Sequence, residues 1–200
     1  PFSATIKASS GFRASLRGMI KSRVKTVDCM YIMATVEEKM DKDIQKVLIS
    51  EEEIDSIVRR VASEIDADYA ERKDGRLILL CILKGSVVFM GDLMKRIRTP
   101  LEIEFMRVSS YGSGTVSSGN IRIILDVNIK DIQNCDILIV EDIIDSGRTL
   151  SYLVEYFKLK GARSVRTVTL LDKPARREVE FTPDYVGRQI PDEFVVGNGL

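Results

Sequence analysis

The stretch Cys135 to Tyr152, CDILIVEDIIDSGRTLSY, sets three carboxylates, Glu141, Asp142 and Asp145, directly ahead of Ser146, Gly147, Arg148 and Thr149. The apolar run Ile137 to Val140 before them has the length and β-branched content of a strand buried on both faces. An apolar helical pattern begins at Leu150. A strand, a tight turn with glycine and hydroxyls, then a helix start is how α/β proteins build an anion site. Free backbone N–H groups and the helix N-terminus face the ligand there. Carboxylates beside such a cradle call for a ligand that carries phosphate and hydroxyls, together with a divalent cation.

Other segments carry chemistry of the same kind. Lys84, Gly85 and Ser86 follow the apolar run Leu77 to Leu83, either as a second anion-binding turn or as a routine strand-to-helix connection. Val165 to Leu171 ends in Asp172, Lys173 and Pro174, followed by Arg176 and Arg177. Cations at the exit of a parallel strand suit anionic or carbonyl ligands, because such sheets bind ligands at strand carboxyl ends. A solvated basic turn is the plain alternative. Ser109 to Asn120, SSYGSGTVSSGN, is too polar and glycine-rich to pack a core, and a loop of that length reads as a mobile lid.

The elements that must position these residues follow from apolar periodicity. Ser50 with Glu53 makes a capping-box pattern ahead of Ile54, Ile57, Val58, Val61 and Ile65, giving an amphipathic helix to about Ala70. A second helix runs through Val87, Phe89, Leu93 and Met94 and stops before Pro100. A third spans Leu150 to about Lys160 and stops at Gly161. Strands are expected at Leu77–Leu83, Leu101–Val108, Ile121–Leu125, Ile137–Val140, Val165–Leu171, Tyr185–Ile190 and Phe194–Val196. Buried strands alternating with amphipathic helices make this an α/β protein with a parallel sheet.

Composition excludes several classes. The 200 residues are 44% hydrophobic and 30% charged, enough for one globular domain with a sizeable core. The chain has no histidine and three scattered cysteines, which argues against a zinc site, a histidine-dependent triad or a disulfide framework. Reduced thiols and a cytoplasmic setting fit that pattern. Formal net charge is zero, so neither nucleic acid nor a membrane surface is expected as a partner. Residues 1–27 carry six basic residues and no acid, which leaves the remainder equally negative. Residues 1–42 therefore read as an extension outside the domain: an organellar targeting segment, an ordinary disordered tail, or residues upstream of a true start near Met33 or Met40.

VEDIIDSGRTL, Val140 to Leu150, resembles the phosphoribosyl-diphosphate signature of the type I phosphoribosyltransferases, and more narrowly their hypoxanthine-guanine branch. Leu83 to Ser86 is similar to that family's first loop, Ser109 to Gly112 to its flexible lid. Leu171 to Pro174 with Arg176 and Arg177, and Ile190 to Gly197, resemble its purine-binding elements. These matches lie in the family's order across residues 43–200, taken as the domain. The resemblance implies a central parallel sheet flanked by helices, with a small hood and a lid. It also implies transfer of a phosphoribosyl group from phosphoribosyl diphosphate to a 6-oxopurine, hypoxanthine and guanine, in purine salvage. Mg²⁺ is the implied cofactor, and a homodimer or homotetramer the implied assembly.

By the same resemblance Asp145 is the general base at the purine. Glu141 and Asp142 hold the ribose hydroxyls and the metal, while Ser146, Gly147, Arg148 and Thr149 cradle the 5′-phosphate. Lys84, Gly85, Ser110, Tyr111 and Arg177 serve the pyrophosphate side. Lys173, Phe194 and Val195 meet the purine. The family continues past the Gly-Leu at which this chain stops, with a further metal carboxylate and a pyrophosphate arginine, so the domain is expected to lack its usual end. A weak or inactive relative with a regulatory, nucleotide- or RNA-binding role is the alternative. The net negative charge of residues 28–200 argues against RNA.

Overall fold

A computed structural model describes residues 47–72, 74–111 and 120–198. The expected extension, residues 1–42, and the heart of the expected lid, residues 112–119, lie outside the described residues. The chain divides at Ser50, and Glu51–Leu200 holds every helix and strand considered below.

Helix α1, Glu51–Tyr69, buries Val58, Val61, Ala62, Ile65 and Tyr69, the i, i+3, i+4, i+7 spacing of one helical face. Three glutamates in its first turn suit the positive end of the helix dipole. Strand β1, Arg76–Ile82, is buried at every position after the first, as a strand covered on both faces must be. Then come helix α2, Val87–Met94, and strands β2, Leu101–Tyr111, and β3, Asn120–Leu125. Strand β4, Cys135–Ile144, leads to helix α3, Arg148–Leu159, then β5, Ser164–Asp172, and β6, Tyr185–Gln189.

The six strands lie in the order β3-β2-β1-β4-β5-β6. All neighbours are parallel except β3, which runs antiparallel to β2 at the edge. From β1 the chain moves toward one edge, and from β4 toward the other. The switch point therefore falls between β1 and β4, where open α/β sheets leave a crevice at their carboxyl ends. Helix α3 closes one face with Leu150, Leu153 and Phe157 on Leu80, Ile82, Met106, Ile137 and Ile139. Helix α2 packs on β1 and β4, and α1 packs on α2 and β6.

The architecture matches the α/β expectation, with three differences. Strand β4 does not end at Val140. It continues to Ile144 because Glu141, Ile143 and Ile144 stay in register with Thr169, Leu171 and Asp172 of β5. Ser109, Ser110, Tyr111 and Asn120, read as loop, belong to strands, since the β2–β3 ladder extends to the Tyr111–Asn120 pair. Phe194–Val196 forms no strand, and Ile190 lies just past β6. No helix among the described residues is long and apolar enough to cross a membrane.

Candidate active site

Parallel register brings the chemistry together. Cys81 of β1 pairs with Val140 of β4, so the turn after β1 comes up beside Glu141 and Asp142. Ile144 of β4 pairs with Asp172 of β5, and the Lys173 N–H donates to the Ile144 carbonyl at 3.0 Å, which seats Lys173 against Asp145. The segment with a routine connection as its alternative, and the one with a solvated basic turn as its alternative, thus flank the acidic motif.

The turn after β1 is shaped for close approach. The Leu83–Lys84 peptide is cis, and Leu83 N–H is held by the Met106 carbonyl at 2.8 Å. Gly85 has no room for a side chain, since a Cβ there would lie 1.8 Å from Oδ2 of Asp142. Lys84 is exposed and Ser86 is buried. Ser86 Oγ lies 2.7 Å from the Ile82 carbonyl and 3.2 Å from Oε2 of Glu141, and can give its proton to either. Sequence reading placed Ser86 in the possible second anion-binding turn and gave it no role of its own. Its position right after Gly85 was the available signal.

Burial, then the neighbouring Asp142 charge, pushes the Glu141 carboxyl up to about 8, with the Ser86 hydroxyl opposing. Burial also raises Asp142, which accepts the Ile143 N–H at 2.9 Å. Two adjacent carboxylates that burial holds back from ionising would ionise more readily beside a cation. Their hard oxygens suit Mg²⁺, which takes one or two protein carboxylates and fills its shell with water and substrate oxygens. Among the described residues no group of three or more His, Cys, Asp or Glu could by itself hold a metal ion. Burial drives the nearby Cys81 thiol up to about 11, so it offers no nucleophile.

The expected phosphate cradle is a pocket of about 130 Å³ lined by Glu141, Ile143, Ile144, Asp145, Ser146, Gly147, Thr149 and Leu150. Gly147 sits at φ 79°, a left-handed conformation that favours glycine, and starts α3 with no side-chain cap. The Arg148 N–H reaches Ser146 Oγ at 3.4 Å, and the positive end of α3 suits an anion. Asp145 is half-exposed at the rim, its Oδ1 3.7 Å from Lys173 Nζ and its Oδ2 3.9 Å from Arg176 Nε. Lys173 itself is buried.

Other expected residues are placed differently. Arg148 turns its guanidinium to Glu178 at 2.6 Å, leaving only its backbone at the cradle. Arg177 donates to the Asp145 carbonyl at 2.5 Å and pairs with the Asp172 carboxylate, so it faces the turn and not open space. Phe194 is 94% exposed and is not stacked over the pocket, while Val195 is half-buried. Ser110 and Tyr111 close the β2–β3 ladder, and their side chains lie outside what is described.

A family model described as the phosphoribosyl transferase domain matches residues 45–200. The bifunctional protein TilS/HprT of Listeria monocytogenes is 54% identical over 163 residues, 82% of this chain but only 24% of that protein's length. A hypoxanthine-guanine phosphoribosyltransferase of Bacillus subtilis is 52% identical over 161 residues, covering 80% of this chain and 87% of the relative. The crystal structure of a Staphylococcus aureus hypoxanthine phosphoribosyltransferase superposes with a TM-score of 0.75 at 46% identity, covering 80% of this chain and 85% of the other. A Trypanosoma cruzi hypoxanthine phosphoribosyltransferase in a ternary substrates complex gives 0.73 at 40% identity, over 78% of this chain and 87% of the other.

Proposed function

This chain belongs to the phosphoribosyl transferase family, in its hypoxanthine-guanine branch, and on that premise we propose that it makes purine nucleoside monophosphates by salvage. A ring nitrogen of hypoxanthine or guanine forms the bond to C1 of phosphoribosyl diphosphate as the C1–oxygen bond to pyrophosphate breaks. The products are IMP or GMP and pyrophosphate. The observation that carries this reading is Lys173, a buried ammonium 3.7 Å from Asp145 at the rim of an anion cradle. An ammonium only donates, so it accepts a 6-oxo group and opposes a 6-amino group.

In this proposal Asp145 takes the proton released from the purine ring, a general-base role. Ser146, Gly147, Thr149 and the Arg148 backbone bind the 5′-phosphate through N–H groups and hydroxyls. Glu141 and Asp142 hold the ribose hydroxyls and would hold Mg²⁺, which would neutralise charge on the departing pyrophosphate. Lys84 and the Gly85 turn receive that pyrophosphate, with Ser110 and Tyr111 closing from above to exclude water. Phe194 and Val195 complete the purine side on binding. A cytoplasmic setting belongs to the same proposal, and Cys81 and Cys135 are free thiols. So does assembly as a homodimer or homotetramer, which would cover exposed Ile103 and Phe105 on β2.

The test is purine choice. With phosphoribosyl diphosphate and Mg²⁺, the protein should consume hypoxanthine and guanine and leave adenine nearly untouched. Equal use of adenine would overturn the role of Lys173, and no nucleotide from any purine would overturn the transfer itself.

A further inference from the structure

Asp172, at the carboxyl end of β5, is a carboxylate that the transfer reaction does not call on, yet its side chain is only 4% exposed. Its Oδ1 pairs with Nη2 of Arg177, and its Oδ2 accepts from Gln189 Nε2 at 3.3 Å. Its carbonyl accepts the Ile190 N–H at 2.8 Å, so both β6 and the chain beyond it are tied to this residue. Arg177 uses its other terminal nitrogen, Nη1, on the Asp145 carbonyl at 2.5 Å. The next residue continues the pattern. Glu178 N–H donates to the Ser146 carbonyl at 3.0 Å, and its carboxylate takes the Arg148 guanidinium at 2.6 Å. Between these contacts the Arg177 chain lies against Gly147, where a Cβ would come within 2.8 Å of Arg177 Cδ.

Asp145, Ser146, Gly147 and Arg148 are thus each backed by Arg177 or Glu178. An arginine left free would lose that geometry to its own rotamer freedom, whereas a buried carboxylate fixes it through a charge-assisted pair. We propose that Asp172 is a positioning residue: it anchors Arg177, which holds the Asp145–Thr149 turn in the shape that receives the 5′-phosphate and aims Asp145 at the purine. The proposal rests on the phosphoribosyl-transfer reading of that turn. It also changes what Arg177 does, from a pyrophosphate ligand to a brace behind the cradle. One strand end then carries two tasks in consecutive residues, with Asp172 setting the turn and Lys173 facing the base.

The test uses the full chain with Asp172→Asn, Arg177→Gln and the double variant, read by amide hydrogen exchange and by steady-state kinetics. Asp172→Asn should speed exchange at residues 145–149 and raise the KM for phosphoribosyl diphosphate on the order of tenfold, with a smaller fall in kcat. The double variant should be within about twofold of Arg177→Gln alone, since both substitutions cut one path. Unchanged exchange in the turn with an unchanged KM would overturn the brace. Faster exchange throughout the sheet with an unchanged KM would also overturn it, because that is general loosening. Should the parent protein form no nucleotide, the transfer reading fails, and exchange at 145–149 still decides whether Asp172 fixes the turn.

Discussion

Strand β4 carries a carboxylate near each end, Asp136 and Glu141, and the protein surrounds them in opposite ways. Asp136 is 1% exposed and is met by Arg72, by two nitrogens of Arg163 and by the Ser164 hydroxyl. Burial alone would raise its pKa, but those partners overcome it and hold the carboxyl down at about 2. Five residues on, Glu141 has Ser86 within hydrogen-bond reach and a second acid beside it, and stands at about 8. Buried charge is expensive unless paired. On β4 the amino end meets its acid with arginines of the chain itself, whereas among the described residues no lysine or arginine pairs with Glu141 or Asp142. In the proposed function a cation and the substrate would supply that charge, so one end of β4 serves folding and the other would serve chemistry.

That contrast can be broken first at Asp145. Asp145→Asn should lower kcat about a thousandfold, within the range for losing a general base, while the urea midpoint hardly moves because the side chain is half-exposed. A turnover number near the parent's would remove its role. Next is Gly85→Ala. The new methyl must displace the Asp142 carboxylate, so kcat/KM should fall about a hundredfold, with a much smaller loss of stability. Retained turnover would mean that the acidic pair tolerates movement. Lys173→Gln offers an acceptor as well as donors where the ammonium stood. The preference for hypoxanthine over adenine, measured as a ratio of kcat/KM values, should shrink about tenfold.

The smallest effect separates the two ends by sign. Asp136 falls from 3.8 to about 2 on folding, so the unfolded chain binds its proton more readily. The stability it contributes is complete above about 4 and is lost as pH drops toward 2. Glu141 rises from 4.5 to about 8, so the folded chain binds its proton more readily, and stability declines as pH climbs across that window. Urea titrations at several pH values should show both limbs. Asp136→Asn should flatten the acid one, Glu141→Gln the upper one. An upper limb that survives Glu141→Gln would place its cause elsewhere.

The buried strands and amphipathic helices were legible because burial on one or two faces imposes a period on the residues. The turn into α3 was legible because Gly147 and the hydroxyls beside it answer a local demand of the turn. Strand β4 was misjudged at its end, since Glu141 and Asp142 look like a loop to any rule based on polarity. Pairing with β5, which composition does not reveal, carries the strand through to Ile144. Phe194 was read as strand from its apolar neighbours, but among the described residues no ladder partner reaches it. The ionic cluster around Asp136 went unread for the same reason, because Arg72, Asp136 and Arg163 meet only after the sheet has formed. Of the two arginines after Lys173, Arg177 is the one that the resemblance assigns to pyrophosphate, yet Arg177 is drawn in by Asp172 while Arg176 remains at the rim beside Asp145 and Asp192.

The division of β4 is tested most directly by measuring unfolding and turnover side by side in Asp136→Asn and Glu141→Gln. Asp136→Asn should cost about 2 kcal/mol, as expected for a buried acid whose arginine partners keep some contact with water, and leave kcat/KM within about twofold. Glu141→Gln should keep or gain stability and lose at least about tenfold in kcat/KM. A Glu141→Gln protein that turns over like its parent, or an Asp136→Asn protein that is stable but inactive, would contradict the account.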